Sequence, residues 1–161
     1  LLFGGGQEQG FRSGTENVAS IVGMGRAIEE IQNPRTALTN IKIRQLRDKL
    51  IKEVLHRVEG SSLTGSKQKR LANNVHFRFK GIAGHELLTI LDQKGIAVST
   101  GSACSEKTQE PSHVLLALGV SQDDAMSSLR LTLGKYTTLE EIEKVITILV
   151  AAVAQLRKNR V

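Results

Sequence analysis

The chain has 161 residues, 40% of them hydrophobic and 24% charged, with 15 glycines, a single cysteine and a formal net charge of +6. That length suits about one domain with a core of its own, and the composition is neither that of a disordered tail nor that of a membrane protein. One cysteine excludes an internal disulfide, no Cys/His cluster points to zinc, and the longest apolar run, Val145–Ala154, is too short to span a bilayer.

The chain opens on Leu1-Leu2-Phe3, followed by a glycine-rich polar stretch from Gly4 to Gly14. It has neither an initiator methionine nor a charged-then-apolar leader pattern, so it reads as a piece of something longer. Thr15 suits the N-cap of a first helix over Glu16–Glu30, with apolar Val18, Ile21, Val22 and Ile28. Asn33-Pro34 should break that helix. A second helix is predicted over Arg35–Val58, where Leu38, Ile41, Leu46, Leu50, Val54 and Leu55 recur at close to helical spacing. The period then changes. Ser61–Thr64 is a short extended candidate and Lys67–Arg70 a basic turn, while Asn74-Val75-His76-Phe77-Arg78-Phe79 alternates apolar with polar as a half-buried strand does. Gly84–Lys94 is a short helix stopped by Gly95, and Ile96–Val98 a brief strand. Ser99–Glu110 runs polar without period, a long loop with Cys104 at its centre. Pro111 suits the first turn of a helix and Gly119 its end. Met126–Leu133 reads as a strand. The last helix, Leu139–Leu156, carries Ile142, Val145, Ile146, Leu149, Val153 and Leu156 on one stripe. Helices mixed with short strands predict an α+β fold, with a short mixed or antiparallel sheet covered by helices.

The positive charge comes from 22 Lys+Arg against 16 Asp+Glu. Much of it, Lys42, Arg44, Arg47, Lys49, Lys52 and Arg57, falls on the second helix among acids and apolar positions and reads as a solvated face. Five aromatic residues leave few platforms for stacking bases, which argues against a nucleic-acid partner. Single-cysteine usage fits a reducing compartment, the cytoplasm.

Three places could carry chemistry. A structural cysteine sits among apolar neighbours, but the nearest large apolar residues to Cys104 are Val98 and Val114. Lys107 and His113 could stabilise a thiolate there if the fold brings them near. The residues alone leave a buried thiol and a reactive one both open. Arg130 lies in a strand whose neighbours Leu129 and Leu131 point to the other face; it is either an edge arginine in solvent or a guanidinium fork for a carboxylate. Arg12-Ser13-Gly14-Thr15 could hold a phosphate at a helix start, or Thr15 could be an ordinary cap. Its glycines follow neither a Walker nor a Rossmann spacing. His56, His76 and His85 have no metal-ligand spacing and read as structural or surface residues.

Taken together, several stretches resemble the C-terminal part of a NifS/IscS-type cysteine desulfurase, in the class V aminotransferase superfamily. They are Gly4-Gly5-Gly6-Gln7-Glu8 with Arg12-Ser13-Gly14-Thr15-Glu16-Asn17, then Asn73-Asn74-Val75, and then the run from Leu91 to Gly101-Ser102-Ala103-Cys104. They continue through Glu110-Pro111-Ser112-His113-Val114-Leu115 and Ser127-Ser128-Leu129-Arg130-Leu131-Thr132-Leu133-Gly134. The likeness runs nearly the whole length in order, and the Gly-Ser-Ala-Cys loop followed by Glu-Pro-Ser-His is its most specific part.

The resemblance implies a homodimeric fold-type I enzyme that uses pyridoxal 5'-phosphate to convert L-cysteine to L-alanine. Cys104 would be the nucleophile that leaves as a persulfide, passing its sulfur to an acceptor or an iron–sulfur scaffold protein, where it could also be a transient cluster ligand. Arg130 would bind the substrate carboxylate, and Thr15 would donate to the cofactor phosphate in the partner subunit's site. Residues 1–15 would end the cofactor-binding large domain, 16–58 would be connecting helices, and 59–161 the α+β small domain with the cysteine loop. The family's Schiff-base lysine follows a histidine in a Ser-x-His-Lys motif, and no His-Lys dipeptide occurs here. The expectation is therefore a fragment, inactive alone. The alternatives are a stand-alone, non-catalytic module that binds partners or nucleic acid, and, among enzymes, a selenocysteine lyase.

Overall fold

The structure is a computed structural model that describes residues 2–101 and 110–159. The chain divides into two compact units, Leu1–Leu38 and Thr39–Val161.

In the first unit, Leu2 and Arg12 form an isolated parallel bridge. Ser13 seals it, its N–H donating to the Leu2 carbonyl at 3.1 Å and its hydroxyl to the same oxygen at 2.9 Å. Between them Gln7–Gly10 makes a single tight turn, in which Glu8 and Gln9 sit at φ 51° and 56°. That left-handed backbone costs a non-glycine residue about 1 kcal/mol or more. Helix α1 follows, Val18–Gln32, and its cap is Asn17 rather than Thr15: the Asn17 side chain accepts the Ser20 N–H at 3.1 Å. Asparagine is among the strongest capping residues, and taking the cap two positions later leaves Thr15 outside the helix. None of the residues of α1 is buried, although Val18, Ile21, Val22, Met24, Ile28 and Ile31 are apolar. Asn33 adopts extended backbone, as a residue before proline prefers. Its side chain accepts the Arg35 N–H at 2.9 Å, so it also starts helix α2, Pro34–Arg57.

The second unit is built on a three-stranded antiparallel sheet in the order β1 (Ser61–Leu63), β2 (Asn74–Phe79), β3 (Ser128–Thr132). Alternation along β2 drives Val75, Phe77 and Phe79 into the core and leaves Asn74, His76 and Arg78 on the other face. The apolar face is covered by α2, α3 (Gly84–Gln93) and α6 (Leu139–Lys158). On α2 the buried residues are Ile43, Leu46, Leu50 and Val54 together with Arg47, whereas Leu38 and Ile41 are exposed. Arg47 is not on a solvated face as expected but donates to the Leu71 carbonyl and pairs with Asp48. On α6 it is Ile142, Ile146, Leu149, Val153 and Leu156, close to the predicted stripe.

Two expected strands differ. Ile96–Val98 makes no ladder; only Ser99 pairs, as an isolated bridge to Arg130. The reason lies just upstream. Gly95, at φ +75°, closes α3 with the Ile96 N–H on the Leu91 carbonyl (3.0 Å), which turns Ile96 back toward the helix end. The strand expected to begin at Met126 begins at Ser128, because Ser121 caps a short helix α5, Gln122–Met126, by accepting the Asp124 N–H. Helix α4, His113–Ala117, starts two residues after Pro111. The expected loop Ser99–Glu110 is described only at its ends; Cys104 lies outside the described residues.

Helix α6 opens with a reciprocal cap. Thr138 Oγ1 accepts the Glu141 N–H at 3.2 Å while Glu141 accepts the Thr138 N–H at 2.8 Å. Thr138→Ala should lower stability by about 1 kcal/mol, measurable as a lower urea midpoint at unchanged slope. An unchanged midpoint would mean that solvent satisfies these groups equally well.

Candidate functional site

The polar face of the sheet gathers the side chains that can do chemistry. Antiparallel register places Arg130 of β3 directly opposite His76 of β2, and Arg78 opposite Ser128. Arg70, from the turn before β2, is tied down by three backbone carbonyls: Thr64 at 2.7 Å, Ser66 at 2.8 Å and Asn74 at 3.4 Å. Arg78 donates to Asp124 of α5 at 3.1 Å. Arg130 is exposed, and its guanidinium has no hydrogen-bond or ion-pair partner among the described residues. Among those residues it is the guanidinium on this face left available for an outside anion.

The outer edge of β3 carries the second feature. The Ser99 N–H donates to the Arg130 carbonyl at 3.1 Å, and the Arg130 N–H to the Ser99 carbonyl at 2.6 Å. Ser99 Oγ then donates to the Gly101 carbonyl at 2.9 Å. The stretch that leads to Cys104 is thus anchored on the backbone of Arg130, and the five residues from Ser99 to Cys104 can span at most about 18 Å. Gly84, the first residue of α3, makes this packing possible: a Cβ there would lie 2.7 Å from the Ser128 carbonyl oxygen and 3.3 Å from Thr100 Cγ2.

His76 is half-buried, and its Nδ1 is buried without a hydrogen-bond partner. Burial first, and then the positive charges of Arg130, Arg78 and Arg70, push its pKa down from 6.5 to about 4. The neutral imidazole is the form this face accepts. An unfolded chain binds that proton near pH 6.5 and the folded chain does not, so this contribution to stability is present above pH 6.5 and lost as pH falls toward 4. Wild type should therefore lose more stability between pH 7 and pH 5 than His76→Asn does, by urea denaturation. Equal losses would remove His76 as the cause.

Sequence reading singled out Arg130; it read His76 as a structural or surface residue and did not single out Arg70, Arg78 or Asp124, which the fold brings to the same region. The alternation of Asn74–Phe79 contained the signal, since it puts His76 and Arg78 on one face. Their meeting with Arg130 required the register of β2 on β3. His113, at the start of α4, is exposed, as are His56 and His85. Cys104 and Lys107 lie outside the described residues. Among the described residues no group of three or more His, Cys, Asp or Glu side chains is placed to hold a metal ion, and no helix is long and apolar enough to cross a membrane.

In the first unit, the Arg12 guanidinium is turned onto its own segment, donating to the carbonyls of Gly14 (2.8 Å) and Thr15 (3.2 Å). The Gly14 N–H donates to Gln7 Oε1 at 3.2 Å. Thr15 is exposed, and its hydroxyl has no partner among the described residues. As a donor set this suits one oxygen of a phosphate and supplies nothing for the rest of a phosphorylated cofactor.

In fold, the chain matches part of a solved NifS-like protein with a TM-score of 0.80 and 32% identity, over 97% of this chain and 39% of that one. Residues 5–145 match the family described as Aminotransferase class-V, and the chain belongs to that family. It is similar to cysteine desulfurase IscS 1 of Archaeoglobus fulgidus, 46% identical over 157 residues. It is also similar to cysteine desulfurase IscS of Dictyoglomus turgidum, 44% identical over 161 residues. These likenesses take in 98% of this chain but 41% and 40% of those proteins, so the chain spans about two fifths of their length. The α+β class and the resemblance carried by the Gly-Ser-Ala-Cys and Glu-Pro-Ser-His stretches both hold.

Proposed function

We propose that this chain carries the sulfur-accepting and carboxylate-binding residues of a cysteine desulfurase. On this reading, L-cysteine is converted to L-alanine and its sulfur is captured as a persulfide on Cys104. The observation that carries the reading is the Ser99–Arg130 bridge, which ties the root of the Cys104 stretch to the backbone of the residue whose guanidinium has no partner among the described residues. The likeness to the IscS proteins across almost the whole chain supports it.

The chain's own residues divide the work. Arg130 takes the substrate carboxylate in its two-pronged fork, which fixes the orientation of the bound amino acid. The Cys104 thiolate attacks the substrate sulfur: an S–S bond forms, the Cβ–S bond breaks, and its electron pair stays on carbon, which a proton converts to the methyl group of alanine. Thiol plus cysteine thus gives persulfide plus alanine, with Cys104 oxidised and the substrate carbon reduced. A thiolate at neutral pH is the condition for this attack. Thr15 donates its hydroxyl to a phosphate oxygen of pyridoxal 5'-phosphate, in the site of the other subunit of a homodimer. That cofactor supplies the electron sink for bond cleavage at the substrate.

The lysine that anchors the cofactor is proposed to lie on chain outside these 161 residues, with residues 1–15 closing the large domain, 16–58 connecting and 59–161 forming the small domain. The absence of a His-Lys dipeptide supports this, as does the uncovered apolar side of α1. The persulfide is proposed to serve a sulfur acceptor or iron–sulfur scaffold in the cytoplasm, with Cys104 as a transient cluster ligand. The test begins with the coding DNA upstream of Leu1. If the frame continues into Ser-x-His-Lys, the complete product should release alanine from L-cysteine while the 161-residue chain should not. A complete product that releases none would sink the desulfurase reading, and alanine from the isolated chain would sink the fragment reading.

A further inference from the structure

We infer that His76 is a positioning residue for Arg130: a neutral imidazole that keeps the guanidinium unpaired and open to an amino-acid carboxylate. The inference deepens the proposed function and rests on the reading that Arg130 takes a carboxylate. Three observations carry it. The two residues are directly opposed in register on one face of the sheet, where opposed Cβ atoms lie about 4.5–5.5 Å apart. The Arg130 guanidinium has no partner among the described residues, while the Asp124 carboxylate is paired with Arg78. The Nδ1 of His76 is buried and without a hydrogen-bond partner among the described residues, so no hydrogen bond at that nitrogen draws the ring toward another group.

Only a narrow range of side chains suits this position. An acidic residue opposite Arg130 would hold the guanidinium in an ion pair and compete with any incoming carboxylate. A cationic one would add to a face already crowded by guanidinium groups. The charges facing His76 are Arg130 from β3, Arg78 from its own strand and Arg70 from the preceding turn, with Asp124 of α5 on Arg78 and Asp48 of α2 near Arg70. Among the described residues, β1 adds the uncharged Ser62 opposite Arg78, the residue after it adds Thr64, whose N–H donates to the His76 carbonyl, and the 99–101 segment carries no charge. An anion seated on Arg130 offsets the largest of the three repulsions, so its binding raises the pKa of His76. By linkage, a protonated His76 binds that anion more tightly.

The test is a titration of the 161-residue chain with sodium acetate against sodium chloride at equal ionic strength, following Arg130 Nε–H and the His76 ring by NMR. In wild type, acetate should shift Arg130 saturably and raise the His76 pKa, and Arg130→Gln should abolish both effects. His76→Asn should bind acetate much as wild type does. His76→Glu should bind it about fivefold more weakly at pH 7, while His76→Gln, of the same length but uncharged, should bind it much as wild type does, a contrast that mere loss of packing would not produce. Equal acetate affinity in His76→Glu, or an unmoved His76 pKa in acetate-saturated wild type, would overturn the role of His76 and leave Arg130 as the carboxylate site. No saturable shift at Arg130 in wild type would overturn both.

Discussion

Phe77→Ala is expected to cost about 3–5 kcal/mol and to leave the second unit largely unfolded at 37 °C. Phe77 is at the middle of β2, the central strand, with none of its surface exposed. Its ring lies 5.8 Å from that of Phe79, tilted by 44°, a geometry in which aromatic pairs attract beyond simple burial. Removing it forfeits the transfer energy of the ring and opens a cavity between sheet and helices that rigid neighbours cannot fill. Against a total stability of about 5–15 kcal/mol, that is a large fraction. The measurement is a urea titration followed by circular dichroism, with Phe11→Ala as the control. Phe11 is 65% exposed, and its loss should shift the midpoint by about 0.5 kcal/mol or less. Equal effects of the two substitutions would mean that the sheet-and-helix core described here is not what holds the chain together.

Where the sequence was legible, one physical period dominated. Asn74–Phe79 alternates over six residues and is a strand with alternating burial; the stripe from Ile142 to Leu156 keeps helical spacing and is a helix whose buried residues are nearly those expected. Legibility failed where two local signals competed. Thr15 and Asn17 are both good caps, and nothing local says which one the helix takes. Ser121 and Asp124 make a cap that starts a helix and takes Met126 out of the expected strand, although Met126 continues the apolar pattern. Ile96–Val98 has the composition of a strand, but the turn at Gly95 uses the Ile96 N–H before any strand can. Leu38 and Ile41 continue the apolar spacing of α2 and yet are exposed.

The candidate site shows the same division. Cys104, Arg130 and Thr15 are each open to a structural reading from their own setting, and it is the resemblance that singles them out. The placing of His76 opposite Arg130 is invisible to both, since it comes from the neighbouring strand. Asn74-Val75-His76 and Leu129-Arg130-Leu131 are more than fifty residues apart in sequence, and a slip of one residue in their pairing would take the imidazole to another partner. The pairing of Arg78 with Asp124 likewise depends on α5, a helix that the apolar pattern conceals. Local sequence nominates candidate groups; register decides which of them stand opposite one another.

Cys104→Ala in the complete enzyme should abolish persulfide formation and slow alanine release from L-cysteine by about three orders of magnitude or more, the scale seen when a covalent nucleophile is removed. Cys104→Ser should do no better, because a hydroxyl is almost wholly protonated at neutral pH and is a poor nucleophile toward sulfur. The readout is the mass of the peptide containing Cys104 after incubation with L-cysteine, heavier by one sulfur atom and restored by a reducing thiol. Selenocysteine is the discriminating substrate: its carbon–selenium bond is weaker, so its cleavage can survive without a thiolate attack. If Cys104→Ala still turns over selenocysteine while losing L-cysteine, Cys104 acts as the sulfur acceptor rather than as a structural residue, since a collapsed site would lose both. Arg130→Lys separates binding from chemistry in the same assay. It keeps the charge but not the fork, so KM for L-cysteine should rise more than kcat falls. A Cys104→Ala enzyme that still releases alanine from L-cysteine at the wild-type rate would show that this thiol is not the sulfur acceptor, and would return Cys104 to the structural reading its sequence setting left open.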